Sequence, residues 1–206
     1  MNSTNREVGS PETSFIVDVR SGQPQVAVLL FDGVEETEAV ASIDILRRAG
    51  VAVTTIKCSC ESNEVTTQHG IIMRAENCFD QAEGDVFDAV VVPGGDRHRS
   101  LAIQACDEAT KFIIRHYEKK KIIASCCTGI PLLSQLGILK NHRITVHSMF
   151  KEEVEAKEKL DDAVVIDDHV LTSKGLATIL EFNLALIEML MGRDQRENVE
   201  TDILVD

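Results

Sequence analysis

The chain has 206 residues, 44% of them hydrophobic, and a formal net charge of −13 at pH 7. This size and composition suit one globular domain with a sizeable core, and the acidic balance argues against nucleic acid or an anionic membrane as partner, because both require basic patches. No apolar run reaches the roughly 18 residues that a transmembrane helix needs.

The first part of the chain is polar and has no apolar core of a secretory signal. We expect residues 1–24 to be a flexible extension that precedes a single domain over residues 25–206. The six cysteines predict free thiols in a reducing, cytoplasmic compartment rather than a disulfide framework. Cys58 and Cys60 form a C-x-C pair, but nothing nearby supplies further ligands, so we predict no metal site.

Strand and helix patterns then alternate along the chain. The apolar run at 26–31 predicts a buried strand, residues 35–49 have helical spacing that ends at Gly50, and residues 51–56 predict the next strand. Further strands are predicted at 87–92, 122–125, 144–146, 164–166 and 170–172, and further helices near 104–120, after Cys127 and at 177–191. This order predicts an α/β sandwich with a mostly parallel central sheet.

Three of the predicted strands end in polar or glycine-rich segments. These are residues 32–38, residues 93–96 and the segment that begins at Cys127. In an open α/β sheet, ligands bind outside the carboxyl ends of the strands. We therefore expect the three segments to meet around one crevice.

Cys127 is the candidate nucleophile. It follows a strand pattern and precedes Thr128-Gly129 and a helical pattern, which is the form of a nucleophile elbow. Such a turn exposes the side chain, and a following helix lowers the thiol pKa. A buried structural thiol is the alternative interpretation. Strand alternation directs the preceding Cys126 away from Cys127, into the core.

The other two segments offer partners for this thiol. A carboxyl group near a thiolate prefers to be protonated, because like charges raise its pKa, and Glu35, Glu36 and Glu38 are all candidates. Their alternative role is to complement the dipole at a helix N-terminus. The Gly95 N–H, with that of Thr128, is a candidate oxyanion hole, although a Gly-Gly pair is also common in tight turns.

Four segments together resemble the ThiJ/PfpI superfamily, and within it the DJ-one branch. They are GVEETEAV, VVVPGG, ASCCTGI and LTSKG with LEFNLALIEML, and the resemblance covers about residues 25–195. It implies a flavodoxin-like α/β fold and a homodimer. By this resemblance Cys127 is the oxidation-sensitive nucleophile and Glu38 is its protonated partner. Gly95 and Thr128 give the backbone donors that face the sulfur. His147 is a histidine near the cysteine.

Several positions depart from the pattern of this superfamily. Cys126 replaces an aliphatic residue, Ile130 stands where proline is frequent, Lys174 replaces an arginine, and His69 stands where an arginine is often found. These changes affect the rim of the pocket and not the pair of cysteine and glutamate. The sequence also has a group of basic residues, His69, Arg97, His98 and Arg99. This group either lines the pocket or lies in a solvated loop, and we favour the loop.

The same positions separate the branches of the superfamily. Thr128 stands where protease-like members have histidine, which argues against peptidase activity, and the H-x-E at His116 lies upstream of the cysteine, which excludes an amidotransferase triad. Two interpretations remain. The favoured one is a cofactor-free glyoxalase or deglycase that acts on α-oxoaldehydes or on glycated protein. The alternative is a redox-sensing stress protein or chaperone in which Cys127 oxidises to a sulfinate.

Overall fold

A computed structural model describes residues 22–58, 62–82, 84–97 and 106–205. Residues 1–21 of the predicted extension lie outside these ranges, as do Cys60, His98 and Arg99. The division into an extension at 1–24 and a domain over 25–206 therefore stays a prediction, and so do the proposed surroundings of those three residues.

The fold is built on a seven-stranded sheet with the order β10-β11-β7-β6-β1-β2-β5. Neighbouring strands are parallel except for β10, which runs antiparallel to β11 at one edge. Two small two-stranded sheets, β3-β4 and β8-β9, lie outside it. The strands are β1 (Gln25–Leu30), β2 (Ala52–Lys57), β3 (Glu64–Thr66), β4 (Ile72–Arg74), β5 (Asn77–Cys78), β6 (Ala89–Val92), β7 (Ile122–Cys126), β8 (Arg143–Thr145), β9 (Glu158–Leu160), β10 (Val164–Asp167) and β11 (Val170–Ser173).

Helices connect the parallel strands and cover the faces of the sheet. Those of the described residues are α1 (Glu36–Arg48), α2 (Phe79–Ala82), α3 (Asp107–Glu118), α4 (Gly129–Gln135), α5 (Ile179–Met191) and α6 (Arg193–Asp202), with short 3₁₀ turns at Ile138–Asn141, Ser148–Phe150 and Leu176–Thr178. Within this part of the chain, no helix is both long and apolar enough to cross a membrane.

The central strands are continuous apolar runs because both of their faces are buried. Residues 26–30 of β1 and 89–92 of β6 have no exposed surface, as is typical of parallel strands covered by helices on both sides. The predicted α/β fold with a mostly parallel sheet is confirmed, and the strand order is that of flavodoxin-like proteins.

The strand predicted at 144–146 forms as β8 and pairs with β9, outside the central sheet. One sequence prediction about elements is wrong. The pattern predicts that the helix ending at Met191 is the last, but α6 follows Gly192. Hydrophobic spacing gives no indication of α6, whose one buried residue is Val199 and whose surface carries ion pairs at i, i+4 spacing.

The carboxyl ends of the strands meet as predicted. The Glu35 N–H donates to the Gly94 carbonyl at 2.9 Å, and Val34 forms a β-bridge with Gly95. On the other side, the Cys127 N–H donates to the carbonyl of Ser173 at the end of β11, at 3.3 Å. These two pairs of segments meet where the Gly95 N–H donates to Thr128 Oγ1 at 2.8 Å, so the ends of β1, β6, β7 and β11 lie around one place.

Candidate active site

Cys127 occupies a strained turn between β7 and α4. Its φ is +50°, in the left-handed region that costs a non-glycine residue on the order of 1 kcal/mol. This sharp turn agrees with the elbow that the sequence predicts, and it leaves the Cys127 side chain half-buried while Cys126 and Thr128 on either side are buried. Strain of this kind persists only where the surrounding structure enforces it.

Glu38 is a carboxyl group buried in the first turn of α1, with 1% of its surface exposed. Its Oε2 accepts hydrogen bonds from the Gly94 N–H at 2.7 Å and from the Cys126 thiol at 3.3 Å. Its Oε1 is equally buried but has no hydrogen-bond partner among the described residues. A buried oxygen without a partner is costly and needs an explanation, such as a catalytic role.

Glycines define the space between Glu38 and Cys127. A Cβ placed on Gly175 would lie 3.6 Å from Cys127 Sγ and 3.6 Å from Glu38 Oε1. A Cβ on Gly94 would lie 2.7 Å from both Cys127 Cβ and Glu38 Oε2, closer than real contacts allow. The sulfur and the unpartnered carboxyl oxygen therefore face the same small space, and only glycine fits at position 94.

The neighbouring acids have other partners. The Glu35 carboxylate caps α1 by accepting the Glu38 N–H at 2.6 Å, which is the alternative role considered for it. Glu36 Oε1 pairs with Nδ1 of the exposed His69 at 2.9 Å. The ligand atoms of these three side chains, Glu35, Glu36 and His69, lie within 4.8 Å of one another, close enough to hold a metal ion, but the cap and the ion pair account for this arrangement.

The pKa values of the pair depend on burial and on each other. Burial raises the pKa of Glu38 above its usual value, against the lowering effect of the Gly94 and Cys126 hydrogen bonds. Burial also raises the pKa of the Cys127 thiol to about 12, and the Glu38 carboxylate adds to this rise, while the Thr128 N–H opposes it. The lowered thiol pKa that the sequence predicts is therefore wrong, chiefly because burial disfavours the thiolate. Glu38 and Cys127 also affect the titration of each other.

The two N–H groups predicted to form the oxyanion hole have different hydrogen-bond acceptors. The Thr128 N–H interacts with the Cys127 sulfur and favours its thiolate. The Gly95 N–H instead donates to Thr128 Oγ1 at 2.8 Å, and the Thr128 hydroxyl donates back to the Gly95 carbonyl at 3.1 Å. The prediction that the Gly95 N–H is open to a ligand is thus corrected, because the threonine side chain, which the sequence pattern does not take into account, occupies that donor.

His147 lies at the start of a short 3₁₀ turn. Its Nδ1 accepts the Met149 N–H at 3.2 Å, and its ring lies 5.9 Å from that of Phe150. Within the described part of the chain, these contacts belong to its own segment, and the structure gives His147 no bond to Cys127 or Glu38. Its predicted place in the site stays a prediction.

The residues that depart from the superfamily pattern have structural partners. Lys174 binds Asp161 at 2.8 Å, and Ile130 is completely buried in α4. Arg97 is exposed, pairs with Glu153 at 2.5 Å and lies over the Phe150 ring. Both Arg97 and His69 are exposed and form ion pairs, in agreement with the solvated loop that we favoured for them.

The described cysteines differ from one another in redox state. Cys58, Cys106, Cys126 and Cys127 have free thiols, whereas Cys78 is disulfide-bonded. The expectation of thiols throughout is therefore wrong for Cys78, because pairing depends on which loops the fold brings together and not on spacing along the chain.

Sequence reasoning missed the role of Cys126. Strand alternation correctly predicts a buried side chain, but it does not show that the thiol reaches a carboxylate carried by another element. The indication available in the sequence was the departure itself, a thiol where relatives of this pattern carry an aliphatic residue.

A mostly parallel flavodoxin-like sheet with a strained cysteine after the inner strand β7 and a buried glutamate from the first helix defines a class of cysteine-dependent α/β proteins. The chain matches the DJ-1/PfpI family over residues 24–189 and belongs to that family.

Named relatives and solved structures agree with this membership. The chain is 31% identical to the Parkinson disease protein 7 homolog of Danio rerio, with 86% of this chain and 95% of that protein covered. It is 29% identical to a Caenorhabditis elegans protein named glutathione-independent glyoxalase DJR-1.2, with 80% of this chain and 87% of that protein covered. A mutant of a DJ-1 superfamily protein from Salmonella typhimurium superposes with a TM-score of 0.84 at 33% identity, with 89% and 100% of the chains covered. The chain spans only 40% and 44% of the length of its Arabidopsis thaliana relatives, DJ-1 homologs B and A.

Proposed function

We propose that the protein is a cofactor-free, cysteine-dependent glyoxalase that converts α-oxoaldehydes such as methylglyoxal and glyoxal into lactate and glycolate. On their early protein adducts the Cys127 sulfur would displace the protein amine from the same carbon, which releases the amine and gives the same hemithioacetal. One observation carries the proposal: the Cys127 sulfur and the unpartnered Glu38 Oε1 face the same space beside Gly175. The likeness to a relative named as a glutathione-independent glyoxalase supports it. In this proposal the protein works in the cytoplasm, and the Cys127 thiol is free.

The first step is attack on the aldehyde. Glu38 Oε1 takes the thiol proton as the Cys127 sulfur bonds to the aldehyde carbon, which solves the problem of a thiol with a raised pKa. The Thr128 N–H stabilises negative charge at the sulfur before attack. Protonation of the resulting alkoxide gives a hemithioacetal, and no external acid or base is consumed.

The second step moves hydrogen within the bound substrate. Glu38 removes the proton from the former aldehyde carbon, the electrons shift to the neighbouring carbonyl, and a proton returned to that second carbon gives the thioester of the 2-hydroxy acid. Water then attacks the thioester carbonyl, the C–S bond breaks, and the thiol is restored. The sum is one aldehyde and one water converted to one hydroxy acid, so neither oxidant nor cofactor is required.

The test is lactate production from methylglyoxal in the absence of glutathione. Wild-type protein should produce lactate, and Cys127→Ala and Glu38→Ala should each lose at least about a hundredfold in kcat/KM, the typical contribution of a general acid-base group. Cys106→Ala removes another free, partly exposed thiol and serves as the matched control that retains activity. Turnover that survives Cys127→Ala would overturn the mechanism.

The redox alternative is an outcome of the same experiment. If wild-type protein produces no lactate while dilute peroxide adds two oxygens to Cys127 and to no other cysteine, the result favours a sensor in which the carboxyl of Glu38 holds a sulfinate. Intact-protein and peptide mass spectrometry after peroxide treatment distinguish this case.

We propose that the functional unit is a homodimer formed through the outer face of α1 and the start of β4. Val40, Ile71 and Ile72 on this face are 49%, 54% and 68% exposed. Val40 lies one turn after Glu36 on the same side of α1, and the Glu36–His69 pair brings the segment before Ile71 against that side. An exposed apolar face of this kind is typical of protein interfaces, and a second copy is the partner that the family resemblance implies.

A further inference from the structure

The Cys126 thiol contacts the Glu38 carboxyl from inside the core. It lies at the end of β7, has no exposed surface, and donates to Glu38 Oε2 at 3.3 Å. The same oxygen accepts the Gly94 N–H at 2.7 Å. One carboxyl oxygen therefore has two donors, and the other, Oε1, has none among the described residues.

This asymmetry fixes how the carboxyl can act. Oε2 is fully engaged as an acceptor, so a proton exchanged with Cys127 goes to or from Oε1. Oε1 also lies on the same side as the sulfur, since both are 3.6 Å from the position of a Cβ on Gly175. The orientation of the carboxyl group is thus set by Gly94 and Cys126, and its free oxygen faces the reacting thiol.

We propose that Cys126 is a positioning residue that, by donating its S–H to Glu38 Oε2, favours the ionised carboxylate and so reduces the thiolate fraction of Cys127. The inference deepens the proposed function, because it concerns the same pair of Glu38 and Cys127. It gives a chemical role to a thiol at a position where the family resemblance leads us to expect an aliphatic side chain.

The effect of Cys126 on Cys127 depends on where one proton resides. The pair holds that proton either as a Glu38 carboxylate with a Cys127 thiol or as a Glu38 carboxylic acid with a Cys127 thiolate. A donor bound to Oε2 stabilises the first arrangement more than the second, because a hydrogen bond to a charged acceptor is the stronger one. Removal of the Cys126 donor should therefore shift the proton to Glu38 and increase the thiolate fraction of Cys127.

The main titratable groups that act on Glu38 within the described part of the chain are Glu35 at the start of α1 and the thiols of Cys126 and Cys127. Lys174, next to Gly175, pairs with Asp161. The Cys126 hydrogen bond lowers the pKa of Glu38, in the direction that the proposal requires.

The test measures the alkylation rate of Cys127 by iodoacetamide between pH 5 and 10, with peptide mass spectrometry to assign the modified sulfur. Cys126→Ala and Cys126→Val remove the donor, and Val leaves little cavity. At pH 7 both should alkylate Cys127 about two- to tenfold faster than wild type, the effect of one net hydrogen bond. Cys126→Ser retains a donor and should stay within about twofold of wild type.

Two results would overturn the proposal. One is equal behaviour of the Ser and Val variants, which would mean that packing and not hydrogen bonding matters. The other is an unchanged or slower rate in both Ala and Val. As a second check, Cys126→Val in a Glu38→Gln background should no longer accelerate alkylation, because the proton that it redistributes is absent. Alkylation needs no turnover, so a failure of the glyoxalase proposal would leave this result interpretable.

Discussion

Glu38 has too few hydrogen bonds for a carboxyl group that serves the fold alone. It is buried, one of its oxygens has no partner among the described residues, and no described cation pairs with it. A structural carboxylate at this depth would normally be paired or fully hydrogen-bonded. The arrangement thus costs stability in the folded protein and keeps the carboxyl available for proton transfer.

This cost leads to the first prediction, that Glu38→Gln stabilises the protein at neutral pH while it abolishes turnover. Burial raises the pKa of Glu38 above 4.5, so the folded state binds this proton more tightly than the unfolded chain. The wild-type carboxylate therefore destabilises the fold above the raised pKa, and this penalty disappears as the pH falls to about 4.5. Each unit of elevation corresponds to about 1.4 kcal/mol.

Urea unfolding of both proteins between pH 4 and 8 checks this prediction. The advantage of Glu38→Gln should be greatest at pH 7 to 8 and should vanish near pH 4. A variant that is less stable than wild type at pH 7 would show that the carboxylate contributes favourably to the fold, contrary to the argument. Glu36→Gln, on the same helix and paired with an exposed histidine, serves as the control and should show no such gain.

Thr128 gives a second prediction at the residue scale. Its hydroxyl satisfies the buried Gly95 N–H at 2.8 Å, so Thr128→Val, a change of similar volume, should cost about 1–3 kcal/mol in the free energy of unfolding. Thr128→Ser retains the acceptor and should cost less than half as much. Denaturant midpoints measure both, and equal losses in Ser and Val would mean that the methyl packing matters and the hydrogen bond does not.

The site also shows which residue-level features the sequence can predict. The identity of Cys127 and the turn around it follow from a strand pattern, a small residue and a glycine. The choice of Glu38 among three nearby acids needs the family resemblance or the structure, because all three are compatible with a helix start. The reach of Cys126 to Glu38 and the use of the Gly95 N–H by Thr128 could not be predicted, since both are contacts between elements far apart in the chain.

At the scale of elements, α1 is the part of the fold that delivers Glu38. Its first turn is held by Glu35, whose carboxylate accepts the Glu38 N–H, and by the bond from the Glu35 N–H to Gly94. The cap thus acts on the backbone of the residue whose side chain enters the site.

The third prediction follows from this cap. Glu35→Ala should lose about 1 kcal/mol of stability, the usual value of an N-cap, and should also reduce kcat because the first turn of α1 frays around Glu38. Glu35→Ser keeps a capping oxygen and should restore most of both losses. Circular dichroism melts and methylglyoxal kinetics give the two readouts. A full loss of activity in Glu35→Ser would instead assign the effect to the Glu35 charge.

The elements that the sequence predicts well are those with a strong apolar pattern. β1, α1, β2, β6 and β7 lie within a few residues of their predicted bounds, because buried strands and one-sided helices leave clear patterns. The strands β3, β4, β5 and β9 and the helices α2 and α6 were not predicted. They are short or largely polar, and they are fixed by tertiary contacts and surface ion pairs, so the sequence carries little periodicity to reveal them.

At the scale of the whole molecule, α1 carries a residue of the site on one side and the proposed dimer face on the other. Glu38 points into the site, and Val40, two residues later, is 49% exposed. Residues two apart on a helix lie about 200° apart around its axis, so the proposed dimer face and the active site lie on opposite sides of one helix. A partner that packs on Val40 and Ile72 would therefore stabilise α1 from outside and restrict the motion of Glu38 inside.

This relation gives the fourth prediction. The double change Val40→Glu with Ile72→Glu should convert the dimer into a monomer, because two buried charges on each side of a symmetric interface repel each other. Light scattering after size exclusion measures the mass directly. Ile166→Glu changes an apolar residue of similar exposure, 44%, in the edge strand β10 and should leave the mass unchanged.

The thermodynamic consequence distinguishes a functional dimer from an incidental one. If the dimer stabilises α1, the melting temperature of wild type should rise with protein concentration, by mass action, whereas that of the double variant should not. Turnover per chain should fall together with dimer content on dilution, because an α1 without its partner holds Glu38 less firmly. Full activity and a concentration-independent melt in a verified monomer would show that the site is complete in one chain and that the exposed face has another use.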